Sequence, residues 1–246
     1  MKSSGLRKIM ALLFVLGLVC FMTSCAGGSK NITKEIDGGW QELDVAGLET
    51  KAAELEEMVK TNPTDPLAPY YAAKAHFAVA DCLDIKSSEE FDKTGKGDEH
   101  LDKAIELIKA SIGLKEDSVD SQILKFNIIR RKMGHVGFPQ LMMYVKDRHD
   151  SFTKAKELAP DSIEVQFLEA LQFSEAAHPA PPAEETSQKF GEIVKRDPKM
   201  AEAYYQIGVA WEKESKIDSA KENYKKALEV DPNHHWAGKK LNGLEG

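Results

Sequence analysis

The chain has 246 residues, with 33 Lys and Arg against 40 Asp and Glu, a net charge of −7, and 42% apolar residues. This length fits one large folded unit or two small ones. The acidic balance argues against nucleic acid and anionic lipid headgroups as partners, since both need basic surface.

At the amino end Lys2, Arg7 and Lys8 precede an apolar run over 9–22, shorter than the roughly 20 residues a spanning helix needs. A basic start, a short apolar middle and small residues at the end predict a secretory leader, residues 1–24. The stretch Met22-Thr23-Ser24-Cys25 resembles a bacterial lipobox, with Met22 in place of the usual leucine. The resemblance implies diacylation of Cys25 and a mature chain that begins there. Loss of Lys2, Arg7 and Lys8 leaves 30 basic against 40 acidic residues, a net charge near −10. Cys20 leaves with the leader and Cys25 carries lipid, so Cys82 stands alone and forms no internal disulfide. Residues 25–39, with Gly27-Gly28 and Gly38-Gly39, read as a flexible tether ahead of a folded domain over 40–246.

Helical spacing then governs the chain. A lone helix is expected over 45–60, followed by pairs at about 70–83 with 98–114, 118–133 with 139–158, and 162–177 with 182–195. Inside the first pair lies a polar, glycine-punctuated stretch, 85–97, expected as a mobile loop. Phe138, Met142 and Met143 follow a glycine turn and read either as core filling or as an exposed apolar patch. The last pair is the clearest. Tyr204, Ile207 and Trp211 mark a helix seam with Gly208, Ala220, Tyr224 and Ala227 opposite, and Pro232 ends the second helix. A short polar cap, 235–244, closes the chain. Nothing alternates like a strand.

The segment 199–232 resembles a tetratricopeptide repeat, and Pro198 and Pro232 lie one 34-residue period apart. The predicted fold is an all-α, tetratricopeptide-like solenoid of about four helix pairs, one strong and three degenerate, with front and back capping helices. The degenerate repeats depart at Lys74, Arg148 and Thr186, which stand where small residues are expected. Such solenoids bind through a concave groove. Matching positions in the first helices are Tyr71 and Ala75, Phe167 and Leu171, and Tyr205 and Val209. Members that clamp a carboxylate use lysine and asparagine there, so these residues argue against a clamp and for an apolar or aromatic segment, such as a helix laid into the groove. The competing reading is that these side chains pack against neighbouring helices and leave no groove.

Catalysis is not expected. The histidines lack a nucleophile or acid partner in sequence, and His234-His235 beside Trp236 reads as a solvated helix end better than as a metal site. No metal or cofactor is expected. The resemblance therefore implies a membrane-tethered scaffold binding an envelope protein, with membrane contact through lipid only and no nucleic acid. Ala26 after the lipidated cysteine resembles outer-membrane sorting, on the periplasmic face. The alternative is a periplasmic transport accessory, similar to tetratricopeptide lipoproteins paired with TRAP-type transporters, binding a small hydrophobic ligand.

Overall fold

The computed structural model describes residues 29–87, 91–175 and 181–245. The leader, Cys25 and the first residues of the expected tether lie outside them. Among the described residues there are eleven helices and no strand: α1 (29–41), α2 (Val45–Thr61), α3 (Leu67–Lys86), α4 (Lys96–Leu114), α5 (Val119–His135), α6 (Gln140–Leu158), α7 (Ile163–Ser174), α8 (Ala183–Arg196), α9 (Ala201–Lys213), α10 (Ile217–Val230) and α11 (His235–Glu245). Each helix from α2 onward packs on the next in sequence, so four antiparallel pairs, α3/α4 to α9/α10, stack side by side. No single pair can bury its apolar face; the neighbours supply the core.

The strong repeat behaves as its spelling demands. Tyr224 is fully buried opposite Gly208, where an added Cβ would lie 2.5 Å from the Tyr224 ring and 3.2 Å from the Ala220 carbonyl. Only glycine lets the two backbones come that close. The Tyr224 hydroxyl donates to Glu212, which removes the cost of burying it. Helix starts are set locally. Asp44, Ser118 and Ser162 accept from Gly47, Ser121 and Val165 backbone N–H groups at 3.0, 3.2 and 3.4 Å.

Two features depart from expectation, and one open reading is decided. The expected tether is helical from residue 29. Ile32, Ile36 and Trp40 recur every four residues on α1 and pack against α2 and α3, with Ile36 fully buried. The loop after α3 is pinned on its described side. Asp92 accepts from the Thr94 hydroxyl at 2.7 Å and the Gly97 N–H at 3.1 Å, while its own N–H donates to Asp84 at 2.7 Å. Phe91 then stacks edge-on with His135. Of the two readings of Phe138, Met142 and Met143, core filling does not hold: they are 73%, 56% and 74% exposed.

The front of the stack holds a histidine pair. His76 Nε2 lies 2.7 Å from a Glu56 carboxylate oxygen, and the Nδ1 atoms of His76 and His100 lie 2.8 Å apart, so one ring donates to the other. Glu49 lies 3.7 Å from His100 and Lys103 bonds Glu56. Burial holds both imidazoles below their ordinary range. A depressed folded pKa contributes stability that is present above the unfolded value of about 6.5 and is lost as pH falls through the folded one. Each pH unit between the two contributes about 1.4 kcal/mol. Protection factors of α2 amides are therefore expected to fall between pH 7 and 5, and to fall less in His100→Gln. A flat profile in the parent would contradict this.

Candidate functional site

The stack curves until its ends meet. Helix α11 crosses to α1 and α3: Lys239 Nζ donates to the Asp84 carbonyl at 2.7 Å, and His235 Nε2 to the Gln41 carbonyl at 2.9 Å. At the junction sits Asp81, only 6% exposed. Its carboxylate accepts from Trp40 Nε1 at 2.7 Å, from Trp236 Nε1 at 3.1 Å and from Arg131, whose guanidinium lies 4.4 Å above the Trp236 ring. One buried carboxylate on α3 thus ties it to α1, α5 and α11 and joins both ends of the fold. The short polar cap expected at 235–244 is instead the closing segment, and His234-His235 is no solvated end. His234 Nδ1 accepts from Ala237 N–H, so Nε2 carries the proton and donates to Glu202 at 3.0 Å.

Inside the curve lies a central cavity of about 670 Å³, partly open to solvent. The first helix of every pair faces it, each with residues at helical spacing: Phe77 and Asp81 on α3, Asn127, Arg130 and Arg131 on α5, Phe167 and Leu171 on α7, and Tyr205 and Val209 on α9. Four of the six groove residues expected from sequence are therefore brought together. Tyr71 and Ala75 are not. They are 7% and 0% exposed, in the core cluster formed with Ile36, Leu48 and Leu55, because α1 and α2 cover that face of α3. Phe167 and Tyr205 are themselves half-buried, their rings 5.5 Å from Phe190 and 5.7 Å from Tyr224.

The cavity is not simply apolar. Arg130, Arg131, Arg148, Lys213 and Lys240 line it against Asp81, Glu175 and Glu202, a surplus of two positive charges in a chain of net charge −7. Glu175, one residue past α7, accepts from Arg130 Nε at 2.6 Å and from Arg148 Nη1. Burial would raise the Glu175 pKa, but the two guanidiniums outweigh it and hold the carboxyl below its usual range. Burial, reinforced by the Glu202 charge, pushes the Tyr205 phenol up, so it stays protonated. Sequence reasoning missed the basic residues. Arg130 and Arg131 end the apolar run Phe126-Asn127-Ile128-Ile129, which was a usable signal, and Arg148 stands at a place where a small residue is expected. Among the described residues no group of three His, Cys, Asp or Glu side chains is placed to hold a metal ion.

Residues 201–234 match the family described as tetratricopeptide repeat, so this stretch is such a repeat. A thermophilic TPR protein of Thermus thermophilus, TTC0263, superposes with a TM-score of 0.59 at 12% identity, over 87% of this chain and 98% of that chain. Human IFIT1, solved as a dimer with PPP-AAAA, gives 0.53 at 12% identity, over 82% of this chain and 42% of that chain. At such identity the likeness is one of fold. No curated protein matches the sequence. The chain is an all-α solenoid of tetratricopeptide type carrying one clear repeat.

Proposed function

We propose that this chain is a non-catalytic binding scaffold of the bacterial cell envelope, tethered by lipid on Cys25, that holds a partner protein by a segment entering the central cavity. The carrying observation is that cavity: walls from four successive first helices, with aromatic and charged side chains together and about 670 Å³ inside. A helix about 10 Å across would fill that volume in roughly two turns. This favours a chain end or a short extended segment over the long helix a fully open groove would take. Support for the tether comes from the leader and from Met22-Thr23-Ser24-Cys25. Among the described residues no helix is long and apolar enough to cross a membrane.

The test uses benzoylphenylalanine in place of Tyr205 in native membranes. The expected result is a cross-link to one envelope protein that disappears when Phe167→Glu is added. The same probe at exposed Lys225 should give no such adduct. Equal adducts at both positions, or an adduct indifferent to Phe167→Glu, would remove the cavity from the reading. Cys25→Ala is expected to move the protein from the membrane fraction to the soluble one; retention on the membrane would remove the tether.

A further inference from the structure

We propose that the seam between α11 and the front of the stack is a gate, which parts to admit an interior segment of a partner's chain side-on into the cavity. This rests on the cavity being the binding site and says how that site is entered. A free chain end reaches the cavity through its open side. A segment continuous at both ends cannot thread a closed ring and needs the seam to part.

Around the rest of the ring, buried apolar clusters join each helix to its neighbours. One cluster takes side chains from α1, α2 and α3, a second from α3, α4 and α5, and a third from α5 through α9. The last joins α10 and α11 with Tyr204 and Tyr205 of α9. Among the described residues no cluster spans α11 and the front. Helix α11 turns Ala237, Leu241 and Leu244 towards Ala220, Tyr224 and Leu228 of α10. Helical spacing puts His235, Trp236 and Lys239 on the opposite face, and these meet the front. Their partners there are the Asp81 carboxylate, two backbone carbonyls and the Trp40 ring, whose centroid lies 5.2 Å from that of His235. Hydrogen bonds of this kind exchange for water at little net cost, whereas apolar burial is lost outright.

The hub also tolerates parting. When α11 withdraws, Asp81 keeps the Trp40 donor at 2.7 Å and the Arg131 guanidinium, so neither charge is stranded. The Gln41 and Asp84 carbonyls sit in the last turns of α1 and α3, where water replaces the lost donors. Helix α11 keeps its apolar seat on α10. The seam is therefore where the ring opens before it unfolds, and the Trp236 indole is its latch.

The experiment places a thiol in the cavity by Asn127→Cys in the full-length chain in detergent. Three reagents are compared: N-ethylmaleimide, a polyproline rod of about 20 residues with a maleimide at one free end, and a stoppered rod. The stoppered rod carries the maleimide at its centre and a small globular protein at each end. Benzoylphenylalanine at Gln41 locks the seam covalently to α11 on irradiation, and mass spectrometry follows the peptide that carries position 127. Locking is expected to slow the stoppered rod by about tenfold or more, because the open population is removed. N-ethylmaleimide and the free-ended rod should react as before. Trp236→Phe, which keeps the ring and drops one donor, should speed the stoppered rod by about fivefold in the unlocked chain. Cys82 is fully buried in α3, and burial pushes its thiol up to about 12, so it reports global unfolding. Should Asn127→Cys fail to fold, Val209→Cys on α9 gives the same comparison. A stoppered rod indifferent to the lock, failure of Gln41 to cross-link to α11, or Cys82 modified as fast as position 127 would each overturn the proposal. If the lock has no effect while the Tyr205 cross-link to an envelope protein forms, only the gate falls. If the lock slows the stoppered rod and no such cross-link forms, the protein partner falls and the gate stands.

Discussion

Replacing Asp81 with alanine is expected to destabilise the chain by about 3–5 kcal/mol and to open the ring. The magnitude follows from leaving a partner charge buried: Arg131 is 17% exposed in its side chain, and its other carboxylate contact, Asp84, is 3.9 Å away. The same substitution removes the acceptor of the Trp40 and Trp236 indoles, so the contact between the first and last helices loses its centre. Urea unfolding gives the energy, and small-angle scattering gives the shape as a larger radius of gyration. Trp236→Phe keeps the ring under Arg131 and removes one donor, and should cost only about 1 kcal/mol. An Asp81→Ala chain as compact and as stable as the parent would show that closure rests on other contacts.

Phe190→Ala is expected to cost a similar amount, about 3–5 kcal/mol, for a different reason. Phe190 is fully buried in the cluster that joins α5 to α9, and deleting its ring leaves a cavity the surrounding helices cannot fill. It also supports the site, since the Phe167 ring lies 5.5 Å away and would turn into the space. Equilibrium unfolding should show the loss, with the slope against urea unchanged. A loss below about 1 kcal/mol would mean that the core around α8 is loosely packed, contrary to the burial described.

These two residues also show what the sequence could reveal. Phe190 aligns with Tyr224 by helical spacing alone, and both are buried in their pairs as that alignment implies. The strong repeat was legible because Gly208, Ala220 and Tyr224 are coupled by one close backbone approach that admits few other residues. Asp81 was not legible as a hub. Its partners lie 41, 50 and 155 residues away, and an acid beside Cys82 reads as a solvated face until the ends are brought together.

The groove was half legible. On α7 and α9 one stripe is apolar for the seam and a second faces the cavity, so Phe167 and Tyr205 could be assigned. Helix α3 is apolar almost all round, with thirteen buried positions in 20 residues, and such a helix gives no phase. The cavity face there is Phe77 and Asp81, while Tyr71 and Ala75 belong to the core. Helix α1 was hidden because Lys30, Asn31, Thr33, Lys34, Glu35 and Asp37 dominate its composition. Its few apolar residues only make a stripe once α2 and α3 receive it.

Closure of the stack on itself around the cavity is tested most directly by an intramolecular cross-link. Benzoylphenylalanine placed at Gln41, whose carbonyl accepts from His235, should react in the monomer with residues 235–239 of α11. Adducts confined to α1 and α2 would contradict the closed ring and leave an open solenoid in its place.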